Sequence, residues 1–352
     1  MNMDVPLSAL FVLLVTNGVF GAVVCAVLLR LMAPTPLGTT RTIIIGLGIA
    51  PFVVTWMLNV LLAIVPGIPA PLVFTAMIGL AAALGWIAGN GWSLLLDHVR
   101  SWSGRVKDRS LWPFLFFLAA MVFGAQLMLR YKPLVDHDIL EYGTQGLRFL
   151  TEMEVRYEKH HFDATTGFYY VGLHGFGFPL LFTWEGLLRE LFNDGGDAWV
   201  RSMTPFYATI TVALLWSTVR RYDKWVAVWA VGAFTLTLGF LYLNTIYHVD
   251  PVRLFLFSAS LLLFMMALDQ PSWVTLVLWA ILMGMHAFVH SLGMILAPFM
   301  IFTFLLFAPM SWPIRLRQVA AVAVVFLIAG GAHYVLDVFW GTGWLMKDIT
   351  WF

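Results

Sequence analysis

Charge is what this chain has least of. Lys, Arg, Asp and Glu make up 11% of its 352 residues, against about 25% in soluble domains. So few solvated side chains exclude a soluble enzyme with a single anchor. Cysteine is scarcer still. Cys25 stands alone, so neither an internal disulfide nor a cysteine zinc site can form. A net charge of +1 gives no electrostatic footprint for nucleic acid, and no such partner is expected. The N-terminus, MNMDVPL, lacks the basic stretch of a secretory signal. The apolar run behind it is therefore expected to stay as a first span.

What is present is apolar. Hydrophobic residues account for 61% of the chain, with 16 Trp and 29 Phe, a composition suited to lipid-facing helices and aromatic belts. Runs of roughly 17–25 apolar residues mark spans. They predict an all-α polytopic membrane protein of about ten transmembrane helices: 8–31, 42–65, 72–95, 111–130, 200–219, 226–246, 252–268, 273–290, 292–309 and 318–338.

Basic residues set the orientation. Arg30 and Arg41, then Arg100 to Arg109, then Arg220, Arg221 and Lys224, then Arg315 and Arg317 fall in loops on one side of a ten-span topology. That side is expected to be cytoplasmic, with both termini outside. The one long connection, residues 131–199, then lies outside, and it carries 11 of the 19 acids. Long connections of this kind are often functional. Its first part reads as an amphipathic surface helix, with Asp138, Glu141, Tyr142, Gln145 and Phe149 on one face and Ile139, Gly143, Gly146, Leu147 and Leu150 on the other. A second such helix is predicted to open at Pro179, with Leu180, Leu181, Trp184, Leu187, Leu188 and Leu191 as its apolar face and Glu185–Arg189 as an i,i+4 pair.

Eight of the nine histidines map to the outer half of this topology, and only His98 is cytoplasmic. His286 and His290 stand four apart near the outer end of a span. Ionisable groups there commonly face a cavity and mark function, with a helix–helix hydrogen bond as the plainer reading. Asp250 precedes Pro251 where one span gives way to the next, a position equally suited to capping. The topology puts His248, Asp250, Arg253, His290 and the Asp136–Asp138 turn at one depth, on one side. A carboxylate there can act as general base toward a hydroxyl or amine, and basic neighbours can steady a developing phosphate charge. A site that faces water beside lipid suits a substrate with a polar head and a long tail.

Asp138-Ile-Leu-Glu-Tyr142 resembles the D-x-x-x-Y element in the first outer loop of the GT-C glycosyltransferase superfamily, which includes the protein O-mannosyltransferases and the lipid A aminoarabinose transferases. The neighbours follow in order. Phe178-Pro-Leu-Leu-Phe-Thr-Trp184 through Leu191-Phe192 resembles the family's juxtamembrane helix. Asp197-Ala-Trp-Val-Arg-Ser-Met203 resembles the acid-to-Arg start of its second span, and Arg220-Arg221-Tyr222 the basic exit. Tyr247-His-Val-Asp-Pro-Val-Arg253 resembles an outer turn with Asp before a span, and Gly284-Met-His286 through Leu296 the next helix pair. The resemblance covers about residues 111–340. It implies a GT-C-like seven-span module with the outer loop 131–199, preceded by three further helices in 1–110 and followed by a short outer tail, 341–352. The family's Lys/His-Pro-Pro element is replaced here by His174-Gly-Phe-Gly-Phe-Pro179.

The resemblance further implies sugar transfer from a polyprenyl-phosphate-linked donor to a lipid, glycan or protein acceptor, at the outer face of the cell membrane. Asp138 is then the general base, with Asp136 as its rival. Arg253, His290, His174, His286 and Arg201 are the candidates for the donor phosphate. Glu141, Tyr142, Asp250 and His248 are the candidates for positioning substrate. No cofactor is required. Asp136, His137, Asp138 and the distant His pair are the residues that could hold a divalent ion, as in oligosaccharide-transferring relatives, and such ligands suit Zn or Mn. Two other classes compete. A proton-coupled transporter also places Asp and His in spans, but transporters usually show internal repeats and midplane sites, and no repeat is visible here. A non-catalytic scaffold for envelope assembly is the other.

Overall fold

The structure is a computed structural model, and it describes residues 7–33, 35–105, 107–131, 137–155, 161–163, 168–170, 175–192, 198–245 and 248–332. In chain order the helices are α1 (Leu7–Met32), α2 (Thr39–Ile64), α3 (Ala70–Ala88), α4 (Gly91–Arg105), α5 (Leu111–Tyr131) and α6 (His137–Glu152). A short antiparallel hairpin of β1 (His161–Asp163) and β2 (Phe168–Tyr170) follows. Then come α7 (Pro179–Glu190), α8 (Ala198–Val219), α9 (Lys224–Thr235), α10 (Leu238–Thr245), α11 (Asp250–Asp269), α12 (Trp273–Val289), α13 (Leu292–Phe307) and α14 (Trp312–Gly331).

Each predicted span falls on helix, but the described residues do not establish ten crossings. Five helices, α1, α2, α3, α11 and α14, are long and apolar enough to cross a membrane, and shorter apolar helices cover Leu111–Gly124, α12 and α13. With this many apolar helices the chain is a multi-pass membrane protein. Side chains such as Trp86, Phe116, Phe299 and Phe307 are exposed along them, as lipid contact requires.

Several predicted boundaries need correction. The span expected over 72–95 stops at Ala88, because Gly89 turns the chain at φ +49° and α4 starts afresh at Gly91. The span expected over 226–246 is two helices, broken at Leu236–Thr237, where the hydroxyls of Thr235 and Thr237 donate to the carbonyls of Val231 and Phe234. Such back-bonding competes with the helical ladder. The last helix begins at Trp312, earlier than residue 318. Its Arg315 reaches back to the carbonyls of Met310 and Leu306, each at 2.7 Å, so this charge is absorbed by carbonyls at and just beyond the end of α13. The hairpin was not foreseen, so the large loop is not wholly helical.

The chain divides into two compact units. The first comprises residues 1–54, 74–139 and 188–255. Its core packs α5 against α8 and α9, with Phe114 stacked on Trp216 at 4.4 Å. The N-terminal helices join the same unit through polar groups. Asn17, in a π-helical stretch of α1, accepts the indole N–H of Trp199 at 2.9 Å, and the Tyr207 hydroxyl donates to the Gly48 carbonyl at 2.8 Å. Arg30 donates to the carbonyl of Ile87 at the end of α3. The few polar groups in these helices thus serve packing. Three of the four basic loops, represented by Arg41, Trp102 and Arg220–Arg221, line one cavity, which agrees with their assignment to one side.

Asp223 caps α9, accepting from the N–H groups of Val226 and Trp225 at 2.8 and 2.7 Å. These bonds hold its carboxyl below the usual aspartate range. A depressed folded value stabilises the native cap above the ordinary value of about 3.9 and is lost as pH falls through the folded one. Amide exchange should therefore find Trp225 and Val226 protected at about pH 5 and less protected at the lowest pH the fold tolerates. Equal protection at both would show that the cap does not depend on this charge.

The second unit comprises residues 55–73, 140–187 and 256–352. Here α12 is the central helix, packed on α13 and α14. Trp279 is fully buried between the rings of Phe264 and Phe304, at 5.3 and 5.7 Å. α12 and α14 cross at glycines. A Cβ on Gly284 would lie 2.6 Å from the Phe326 carbonyl oxygen, and Gly330, at φ +153°, sits against the Gly284 carbonyl.

Candidate functional site

α6 carries the first group of candidates. It begins at His137, so Asp138 stands in its first turn. Its mixed face is the buried one. Tyr142 is fully buried, Glu141 and Gln145 nearly so, and Phe149 is enclosed, while Leu140 and Leu147 are exposed at 54% and 56%. The surface helix expected from the sequence is therefore turned with carboxylate, phenol and amide inward and leucines outward. Phe178 supplies the reason. Its ring meets Tyr142 edge-on at 5.2 Å, and Phe176 meets Phe149 likewise at 5.1 Å. These aromatic contacts outweigh exposure of a few leucines at a face that lipid can cover. Gln145 Oε1 is buried without a hydrogen-bond partner among the described residues, so the inner face retains acceptor capacity.

α7 supports this arrangement. Pro179 opens it as expected, and Leu180, Leu181, Trp184, Leu187 and Leu188 are buried. Leu191 is not. The helix ends at Glu190, and Leu191 is exposed in the turn beyond. Glu185, expected on the polar face, is buried as well. Thr183 fastens α7 to α6, donating to the Gly146 carbonyl at 2.9 Å.

A second group forms at the start of α11, in the first unit. Asp250 lies in its first turn, as read from Asp250-Pro251. Its carboxylate takes Arg253 Nη1 on one oxygen and stands 3.1 Å from His248 Nδ1 on the other. The same Nδ1 is 3.2 Å from the Asp250 backbone nitrogen. Protonated, it donates to the carboxylate; deprotonated, it accepts the amide N–H. Thr204 of α8 fixes this turn, donating to the His248 carbonyl at 3.2 Å. Thr204 is fully buried and was missed in the sequence; a hydroxyl ahead of Pro205 in an apolar helix was the available signal. Arg201 is half-buried in the first turn of the same helix.

The histidine pair lies in the second unit, but not on one helical face. His286 is buried in the last turn of α12, whereas His290 lies past its end in extended backbone. There His290 Nδ1 accepts the Leu292 N–H at 3.1 Å and so helps start α13. A neutral ring in that role keeps its proton on Nε2. Asp136 and His174 lie outside the described residues, as do the side chain of Asp138 and residues 341–352. Among the described residues no group of three His, Cys, Asp or Glu is placed to hold a metal ion.

A histidine–carboxylate–arginine turn opens one apolar helix, α11. Residues 179–336 match the family of dolichyl-phosphate-mannose-protein mannosyltransferases. The match spans just under half of the chain and supports a membrane glycosyltransferase of the GT-C type. It runs from the first residue of α7 to five residues past the end of α14, and so contains Arg201, His248, Asp250, Arg253, His286 and His290. Asp136, Asp138, Glu141, Tyr142 and His174 precede it. No curated protein and no solved structure matches the chain.

Proposed function

We propose that the protein transfers a sugar from a polyprenyl-phosphate-linked donor to an acceptor hydroxyl or amine, at the extracytoplasmic face of the cell membrane. The observation that carries this reading is the mannosyltransferase-family match over residues 179–336, because a donor of that class goes with the family. The transferase module is taken as residues 111–340, with 1–110 as added helices and 341–352 as an outer tail.

Asp138 accepts the proton of the acceptor O–H or N–H. The acceptor atom attacks the anomeric carbon, the bond from that carbon to the phosphate oxygen breaks, and the lipid phosphate leaves with the electron pair. One displacement inverts the centre. Arg253, His290, His174, His286 and Arg201 are the groups assigned to the phosphate; Asp250 and His248 hold Arg253 in place. Glu141 and Tyr142, on the inward face of α6, are assigned to the sugar. A base at a helix start is readily ionised but weak, so orientation and charge stabilisation supply much of the rate. The scheme needs no metal.

The test is donor turnover by purified protein in lipid, against a panel of polyprenyl-phosphate sugars. Turnover of one donor is expected; failure with every donor returns weight to a transporter or a scaffold. For the active donor, Arg253→Gln should raise KM about tenfold, the worth of one charge-assisted bond. An unchanged KM would remove Arg253 from the phosphate site.

A further inference from the structure

The cavity shared by the basic loops of the first unit has a volume of about 210 Å³ and is lined by Thr40, Arg41, Trp102, Trp216, Arg220 and Arg221. Its charge is one-sided. Arg220 is balanced, paired with Asp108 and lying 4.5 Å over the Trp216 ring. Arg41 and Arg221 form no ion pair among the described residues, and the positive charge of Arg221 bears on Arg41. Arg41 is only 6% exposed, with its Nη2 donating to the Pro36 carbonyl at 3.2 Å. A buried guanidinium with a second cation on the same cavity wall is costly unless an anion offsets it.

Two further features point to an anion. Trp216, 6% exposed, has its indole nitrogen buried with no acceptor among the described residues. α2 also begins at Thr39 on the cavity wall, bringing the N–H groups and positive dipole end of a long helix. These groups come from different elements and line one partly open cavity.

We infer that this cavity binds a phosphate-type oxyanion, carried by an anionic lipid headgroup or by a soluble phosphate. The rim favours the lipid. Trp102 is 39% exposed, and Tyr222 and Trp225, which follow Arg221, are 88% and 49% exposed. Aromatic and basic residues together at span ends are the surroundings in which anionic headgroups are held. None of the residues proposed for sugar transfer lines this cavity, so the two readings stand or fall separately.

The experiment uses the full chain in detergent. One arm titrates phosphatidylglycerol against phosphatidylcholine and counts bound lipid by native mass spectrometry. The other omits lipid and follows thermal unfolding with inorganic phosphate against chloride at equal ionic strength. Arg221→Gln is the main variant, since Arg221 is exposed; circular dichroism checks that it folds. Phosphatidylglycerol should bind in preference, about tenfold more weakly in Arg221→Gln, with most affinity kept in Arg221→Lys. Lipid binding without a phosphate response identifies the headgroup as the ligand. Stabilisation by phosphate alone, lost in Arg221→Gln, identifies the soluble anion. No response in either arm, or binding indifferent to Arg221→Gln, overturns the site.

Discussion

Asp138→Asn should lower sugar transfer by about 10²–10⁴-fold, the usual contribution of a positioned general base. Asn matches Asp in shape and also suits a helix start, so α6 should still begin at its normal place. What it cannot do is take the acceptor's proton. If Asp138 is the base, kcat falls while donor binding persists, because the phosphate is assigned to other groups. The informative comparison is with Asp136→Asn, assayed alongside with the same donor. A collapse there and near-normal turnover in Asp138→Asn would move the base two residues upstream. Near-normal turnover in both would end the carboxylate-base mechanism for this loop. A folded Asp138→Asn protein that no longer binds donor would instead make Asp138 a binding residue.

The largest effect on stability is expected at the crossing of α12 and α14. Gly284→Val places a Cβ 2.6 Å from both the Phe326 carbonyl oxygen and the Ala329 Cβ, and Val then adds two methyl groups. Neither partner is the free end of a flexible side chain, so the helices must part. Overpacking of this kind costs about 3 kcal/mol or more, which should lower the unfolding temperature by at least about 5 °C. Gly284→Ala should fall between the two. His286 lies two residues on, so donor affinity should fall with stability. Unchanged melting in Gly284→Val would mean that the crossing adjusts at little cost.

Long apolar runs were readable because lipid demands them, and helix falls within each predicted segment among the described residues. Breaks inside the runs were not. Thr237 carries no strong breaking signal, and its effect depends on a hydroxyl choosing the Phe234 carbonyl. The inward rotation of α6 was hidden for another reason. Amphipathicity shows that two faces differ; it does not say which is covered, and Phe178 decided that from outside the helix. At the site, Asp250-Pro251 announced a helix start in one dimension, and His248, Asp250 and Arg253 are indeed close in space. Thr204 arrived from a different helix, 44 residues upstream of His248, a pairing that no local pattern carries. The i,i+4 spacing of His286 and His290 misled because the helix ends between them.

The bonds from Asn17 to Trp199 and from Gly48 to Tyr207 also set an order of assembly. The first two helices leave the ribosome well before α8 exists. At roughly 5–20 residues per second, the interval is on the order of ten seconds or more. During it, the Asn17 side chain is without its final partner. The early helices must therefore be held, by one another or by the insertion machinery, until the middle of the chain arrives. Slowing translation between residues 54 and 198 should lengthen that interval, and nascent chains stalled there should be the ones most readily degraded.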